Sequence, residues 1–164
     1  METSKPLSKI DSLVLGEYIL QNYGGMSHLK LQKLIYYIEA LHLAYFETSL
    51  IDDEFQAWLH GPVSRKLYDA VKDYSLLYGE VIYVKDDKES PTDVVNKTLT
   101  ADQIDLLSDV LKEYGKLTSY QLETLTHEET PWIEARRGVP MGDRCENIIS
   151  KETMRTFYKS ELYS

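Results

Sequence analysis

Along most of this chain, apolar positions recur with a period near 3.6 residues, and each periodic stretch is bounded by helix punctuation. From about Lys9 to Asn22, the residues Ile10, Leu13, Val14 and Tyr18 share one face, and Gly24-Gly25 stops the run. Ser27 is placed to cap a second helix that continues to about Glu47. Its stripe is Leu31, Leu34, Ile35, Ile38 and Tyr45, with Leu41 and His42 beside it and Lys30, Lys33 and Glu39 off it. This is the longest and most hydrophobic segment, so it is expected to be the central helix. A loop from Thr48 to Glu54 leads into Phe55-Gln-Ala-Trp-Leu-His-Gly-Pro-Val-Ser-Arg-Lys-Leu-Tyr68. Pro62 lacks a backbone donor, which costs least at the first helical position, and Gly61 fits the cap before it. A helix is therefore predicted from Pro62 to about Tyr74, with Val63, Leu67, Ala70, Val71 and Tyr74 on one face.

The stretch from Gly79 to Lys97 has the least helical character. Val81-Ile-Tyr-Val84 is β-branched and aromatic and predicts a short strand or an extended loop. Asp86 to Asp93 is charged and carries Pro91, which predicts a mobile surface excursion. Later helix starts are well marked. Thr100 and Gln103 form a capping box inside a Leu99–Ile104 staple, and Thr118 and Gln121 repeat it inside Leu117–Leu122. Ile149 and Met154 keep the staple around Ser150, with Thr153 where a box needs Gln or Glu. Thr130-Pro131-Trp132 opens a short helix ending near Gly138, and a loop holding Pro140 and Gly142 runs to about Ile148. The predicted fold class is all-α. It is a compact irregular helical bundle with a short β-element near residues 80–85, a single domain over residues 1–164.

Composition narrows the function. Hydrophobic residues make up 43% of the chain, enough for a substantial core. Thirteen tyrosines suit core edges and interfaces, since Tyr is large, stiff and amphipathic. A net charge of −9 and a pI near 4.9 argue against a phosphate-binding surface and against a polybasic membrane anchor. They permit a basic partner, although ordinary solubility accounts for most of the charge. The single cysteine, Cys145, excludes an intrachain disulfide and a multi-cysteine zinc site and suits a reducing compartment. The first residues lack the apolar run of a signal peptide, and no apolar stretch is long enough to cross a bilayer. The expectation is a cytoplasmic protein with neither a nucleic-acid nor a membrane partner.

Candidate chemistry is sparse. His127-Glu128 begins the helical zinc-protease pattern, but Pro131 stands where the second histidine belongs. His28 and His42 are about four turns apart on one helix and cannot share a metal. Cys145 lies beside Arg144 without a partnered histidine, so an inert thiol is expected. Ser27, Ser64 and Ser119 are explained as helix-terminal residues, and Asp52-Asp53 and Glu128-Glu129 as solvated loop charge. Leu117 to Arg137 resembles a helix-turn-helix in outline. Its Arg136 and Arg137 are outnumbered by Glu123, Glu128, Glu129 and Glu134. The expectation is no catalytic residue, no metal, no cofactor and no enzymatic activity. The competing hypothesis from another class is a small enzyme with His60 or His127 as general base.

Four stretches together are similar to one known family. They are Leu29-Lys-Leu-Gln-Lys-Leu-Ile-Tyr-Tyr37, Phe55-Gln-Ala-Trp-Leu-His-Gly-Pro-Val63 with Tyr68, Leu125-Thr-His-Glu-Glu-Thr-Pro-Trp132 with Ala135-Arg136, and Ile149 to Tyr158. In this order, over nearly the whole chain, they resemble the Panacea antitoxin domain, the phage-associated SocA-like domain. The resemblance implies a mainly helical protein of prophages and toxin–antitoxin operons. Such a protein neutralises a cognate toxin, encoded nearby, by direct protein–protein binding. The toxins differ widely and include translation-blocking enzymes related to alarmone synthetases. One branch instead acts as a proteolytic adaptor to an AAA+ protease, and a phage-encoded inhibitor of a host protein is a further alternative. The implied partner-binding residues are Trp58, His60, Gly61, Pro62 and Tyr68 on one side and His127, Pro131 and Trp132 on the other. Either both blocks brace the fold, each tryptophan plugging a helix junction, or they shape a groove that grips the toxin. Thr48 to Glu54 and Gly79 to Lys97 would then tune which toxin fits. A histidine at the helix start predicted here is disfavoured in its charged form, so a neutral, hydrogen-bonded His60 is expected.

Overall fold

The computed structural model describes residues 5–72 and 79–163. Tyr74, placed above on the third helix, lies outside the described residues. The first helix, α1 (Ser12–Tyr23), starts where the Asp11 carboxylate accepts the Leu13 amide, and it ends at Gly24 with φ 85°. In α2 (His28–Phe46), the Ser27 hydroxyl accepts the Lys30 amide at 3.1 Å. From Leu31 to Ala44 every residue of α2 except Leu41 is buried.

That burial corrects the stripe. Lys33 and Glu39, expected off the apolar face, are 0% exposed, while Tyr45 is 57% exposed. The cause is tertiary: α2 is wrapped by α1, by a hairpin strand and by four later helices, so it has almost no solvent side. A polar group inside such a helix needs a partner. Glu39 accepts the amides of Leu50 and Ile51 at 2.8 and 3.2 Å and the Lys151 ammonium at 2.8 Å. Each fully buried Leu or Ile along α2 adds roughly 2 kcal/mol of apolar burial.

A second correction concerns the Gly61-Pro62 corner. Strands β2 (Phe55–Trp58) and β3 (Gly61–Ser64) follow strand β1 (Met26–Ser27) and form an antiparallel hairpin, pairing Trp58 with Gly61 and Phe55 with Ser64. The helix α3 (Arg65–Val71) begins only afterwards, with the Ser64 hydroxyl accepting the Leu67 amide. Gly61 takes φ 112°, which reverses the chain, and Pro62 is tolerated because a hairpin strand has an open edge. The buried Asp53 ties this junction to α1, accepting the Ser12 and Ser64 hydroxyls at 2.7 and 2.5 Å. It is therefore not solvated charge, whereas its neighbour Asp52 is exposed and paired with Lys9.

The predicted β-element is short: β4 (Glu80–Val81) pairs with β1, and Ile82 and Val84 beyond it are exposed. The last three residues of the predicted excursion, Asp86 to Asp93, are helical, because α4 (Pro91–Thr98) begins there, and Asp86 to Glu89 before it are exposed. Pro91 lies in the first turn, Asp93 and Lys97 suit the helix dipole, and Val95 is fully buried where α4 packs on α1. Both predicted capping boxes are formed, at Thr100/Gln103 of α5 (Ala101–Tyr114) and Thr118/Gln121 of α6 (Ser119–Glu128). A short α7 (Thr130–Ala135) has Pro131 in its first turn, and α8 (Lys151–Leu162) is capped by Ser150 without a box. The fold is mainly helical, with two two-stranded sheets among the described residues. None of the described helices is long and apolar enough to cross a membrane.

Candidate partner-binding site

The two sequence blocks that stood out meet in space. On β2, the carbonyl of Trp58 accepts Nε1–H of Trp132 at 2.8 Å, and the carbonyl of Ala57 accepts Nη1–H of Arg136 at 2.8 Å. Arg136 is buried, its guanidinium 4.9 Å from the Trp132 ring centroid. That indole also stacks with His127, ring centroids 4.0 Å apart. His60, in the hairpin turn, places Nδ1 2.9 Å from Glu123 Oε1 on α6. The segment before α8 completes the clamp: Ile149 N–H donates to the Phe55 carbonyl at 2.7 Å, and Ala57 N–H to the Asn147 carbonyl at 2.8 Å. His60 is thus not at a helix start, and the dipole argument for its neutral form does not apply.

Lys33 lies directly beneath the corner. Its ammonium is 3.5 Å from the Pro62 carbonyl. Burial brings its pKa down to about 7, against the attraction of Glu123. Gly61 is required here twice over. Its φ disfavours a side chain, and a Cβ would stand 2.3 Å from Lys33 Cε and 3.0 Å from Thr126 Oγ1. Burial likewise lowers the pKa of His127, helped by the charges of Lys33 and Arg136 and opposed by Glu123.

Outside the corner is a cleft of about 330 Å³, lined by Trp58, His60, Arg65, Tyr68, Cys145 and their neighbours. The Arg65 guanidinium lies 5.0 Å from the Trp58 centroid and 5.8 Å from that of Tyr68, and it bonds Glu146 at 2.7 Å. Tyr68 also stacks on the buried His28, with centroids 5.5 Å apart. The expected partner-binding residues therefore divide. Trp58, His60 and Tyr68 are partly exposed at the cleft, whereas Gly61, Pro62 and Pro131 are buried. His127 and Trp132 are partly buried inside the clamp.

The remaining candidates have local roles. His42 donates Nδ1–H to the Thr48 carbonyl at 2.6 Å and accepts the Gln103 amide at Nε2, as a neutral ring lowered in pKa by burial. Cys145 is buried, and its Sγ accepts the Asn147 amide at 3.5 Å. Glu129 is not solvated loop charge: it accepts the hydroxyls of Tyr37 and Tyr158 at 2.6 and 2.8 Å. Burial raises its pKa, and Glu161 and Glu128 add to the rise. Among the described residues no group of three His, Cys, Asp or Glu is placed to hold a metal ion. Sequence reasoning passed over Lys33, Arg65 and Glu123. Lys33 carried one signal, its position midway at helical spacing between Leu29 and Tyr37, both buried.

A family model for the antitoxin SocA-like Panacea domain matches residues 31–133, well over half of the chain. The chain belongs to this family. The Panacea match runs from α2 through the hairpin to Trp132, taking in Lys33, the whole β2–β3 corner and Glu123. It stops before Arg136 and α8, so the resemblance of the closing stretch, Ile149 to Tyr158, lies outside the matched region. No curated protein and no solved structure matches the chain.

Proposed function

We propose that this Panacea-domain protein is a cytoplasmic, non-enzymatic antitoxin. It neutralises a cognate toxin encoded nearby by direct binding, and it grips the toxin at the cleft beside the hairpin. Family membership supports the class of function. One observation supports the place: the partly exposed members of the expected set, Trp58, His60 and Tyr68, open onto a single cleft with Arg65 packed against both aromatic rings. Trp, Tyr and Arg in a defined pocket are the residue types that dominate binding energy at interfaces. Gly61, Pro62, Pro131 and Trp132 hold that pocket in place before binding, which reduces the ordering cost of association. The net charge of −9 favours encounter with a basic toxin surface.

The test is co-expression with the neighbouring gene product. The wild-type chain should restore growth and co-purify with it in fixed stoichiometry. Trp58→Ala/Tyr68→Ala should stay folded by circular dichroism and bind about 100-fold more weakly, with loss of rescue. Undiminished rescue by the double variant would remove the cleft from the mechanism, and no rescue by the wild type would remove the antitoxin function. Rescue should persist in a strain lacking AAA+ proteases. Its disappearance there would replace direct inhibition by proteolytic delivery.

A further inference from the structure

A second concave surface lies at the other end of α2. Tyr45 on this surface and Leu29 on the cleft are more than four helical turns apart, roughly 24 Å at the α-helical rise. The two surfaces are therefore separate. This one is a groove of about 450 Å³ between α2, α5 and α8. Its apolar lining includes Leu41, Phe46 and Leu162, all partly exposed, and Tyr45 stands 57% exposed at its edge.

The charge around that apolar floor has one sign. Asp102, Asp105, Asp109 and Glu113 follow the α5 side, Glu161 stands on α8, and Glu129 reaches in from the α6–α7 junction. No lysine or arginine is among the lining residues. Asp102, Asp105 and Asp109 have no ion pair among the described residues, and the Glu113 partner, Lys116, is itself exposed. Burial first and the neighbouring carboxylates second raise two groups in the groove. The Glu129 carboxyl is held up by burial and by its acidic neighbours. The Tyr114 hydroxyl is pushed up to about 12 by burial and then by Glu129, Glu113 and Glu161. Solubility alone requires neither an apolar floor nor carboxylates gathered around it. From Asp102 to Glu113 the rim spans roughly 16 Å, the length of about three helical turns.

We propose that this groove is a docking site for a cationic amphipathic helix of a partner protein. The apolar face of that helix would seat on Phe46 and Leu162 against Tyr45, its lysines or arginines would pair with the α5 carboxylates, and one cation would reach Glu129. This is helix-in-groove recognition with anchors at i, i+3, i+4 and i+7, and charge complementarity selects the partner. It stands whether or not the cleft binds a toxin.

The experiment is fluorescence anisotropy of a dye-labelled leucine–lysine amphipathic peptide titrated with the full chain at low salt. Saturable binding is expected. Asp105→Lys/Asp109→Lys should weaken it about tenfold or more, and Tyr45→Ala should weaken it without altering charge. Asp86→Lys/Asp87→Lys, the same charge change on an exposed loop outside the groove lining, should leave affinity within about twofold. Equal weakening by both charge reversals would show net attraction without a site and would overturn the proposal. So would equal binding of a leucine–glutamate peptide, or the absence of saturation.

Discussion

Lys33→Met is the most direct test of the corner's energetics. The Lys33 side chain is fully buried, and its ammonium makes a long hydrogen bond to the Pro62 carbonyl. Burial outweighs the pull of Glu123 and moves the pKa from 10.5 to about 7. In the unfolded chain the ammonium titrates near its ordinary value. Between the two values the folded state binds fewer protons than the unfolded state, so stability rises with pH across that window. The slope is about 1.4 kcal/mol per pH unit, and the whole window is worth roughly 5 kcal/mol. The contribution is present above the unfolded pKa and is lost as pH falls through the folded one. From about pH 7 to about 8.5, wild-type stability should therefore increase by about 2 kcal/mol.

Methionine keeps the length and most of the volume of the stem while removing the charge. The variant should be flat over the same pH range and, near pH 7, between unchanged and about 3 kcal/mol more stable. Urea unfolding followed by circular dichroism at several pH values, with reductant present, measures both quantities. His127, held low partly by the Lys33 charge, should titrate higher in the variant, which proton NMR can follow. Parallel slopes in the two proteins, or a flat wild-type profile, would refute the assignment of a buried, depressed lysine beneath Gly61.

Two further substitutions probe the frame around the site. Gly61→Ala should cost about 3 kcal/mol or more, because it adds a side chain at φ 112° against Lys33 Cε. In a Lys33→Ala background the clash with Lys33 should vanish, leaving about 1–2 kcal/mol from the φ of Gly61 and the tight approach to Thr126 Oγ1, so equal penalties in both backgrounds would exclude the Lys33 contact. Glu39→Gln should cost about 2–4 kcal/mol in urea unfolding, since the Glu39 carboxylate is 0% exposed and Lys151 would lose its ion-pair partner. A loss below about 1 kcal/mol would place this pair with weak surface bridges.

What the sequence showed depended on how local each cause is. Both capping boxes were legible because the bonded atoms are three residues apart, at Thr100/Gln103 and Thr118/Gln121. The family blocks were legible as unusual residue types in fixed order. The hairpin was not, because Gly61-Pro62 punctuates a helix start and a chain reversal equally well, and only the φ of Gly61 separates them. Helix α4 was hidden by its charge, although Ser90-Pro91 followed by Val95 carried the same start signal accepted at Pro131. The inward positions of Lys33 and Glu39 follow from elements that wrap α2 from distant parts of the chain, and the spacing of Lys33 between Leu29 and Tyr37 is the one local trace of it. The meeting of Trp132 with the Trp58 carbonyl joins residues 74 positions apart and is a property of the fold alone.

Bracing and gripping first presented themselves as alternatives for the eight expected residues, and burial divides the residues between the two roles. Gly61, Pro62 and Pro131 are buried, and Trp132 uses the only polar atom of its side chain on the hairpin backbone. Such residues cannot also serve as freely available contacts. Under the proposed antitoxin function Trp58 would do both: its carbonyl is fixed by Trp132 while its ring, edge-on to Tyr68 at 5.0 Å, faces the cleft. A ring held through its own backbone loses little conformational freedom when a partner covers it, so more of the contact energy appears as affinity. A variant that loosens the clamp, such as Trp132→Phe, would then weaken partner binding without touching the cleft lining, through the placement of Trp58.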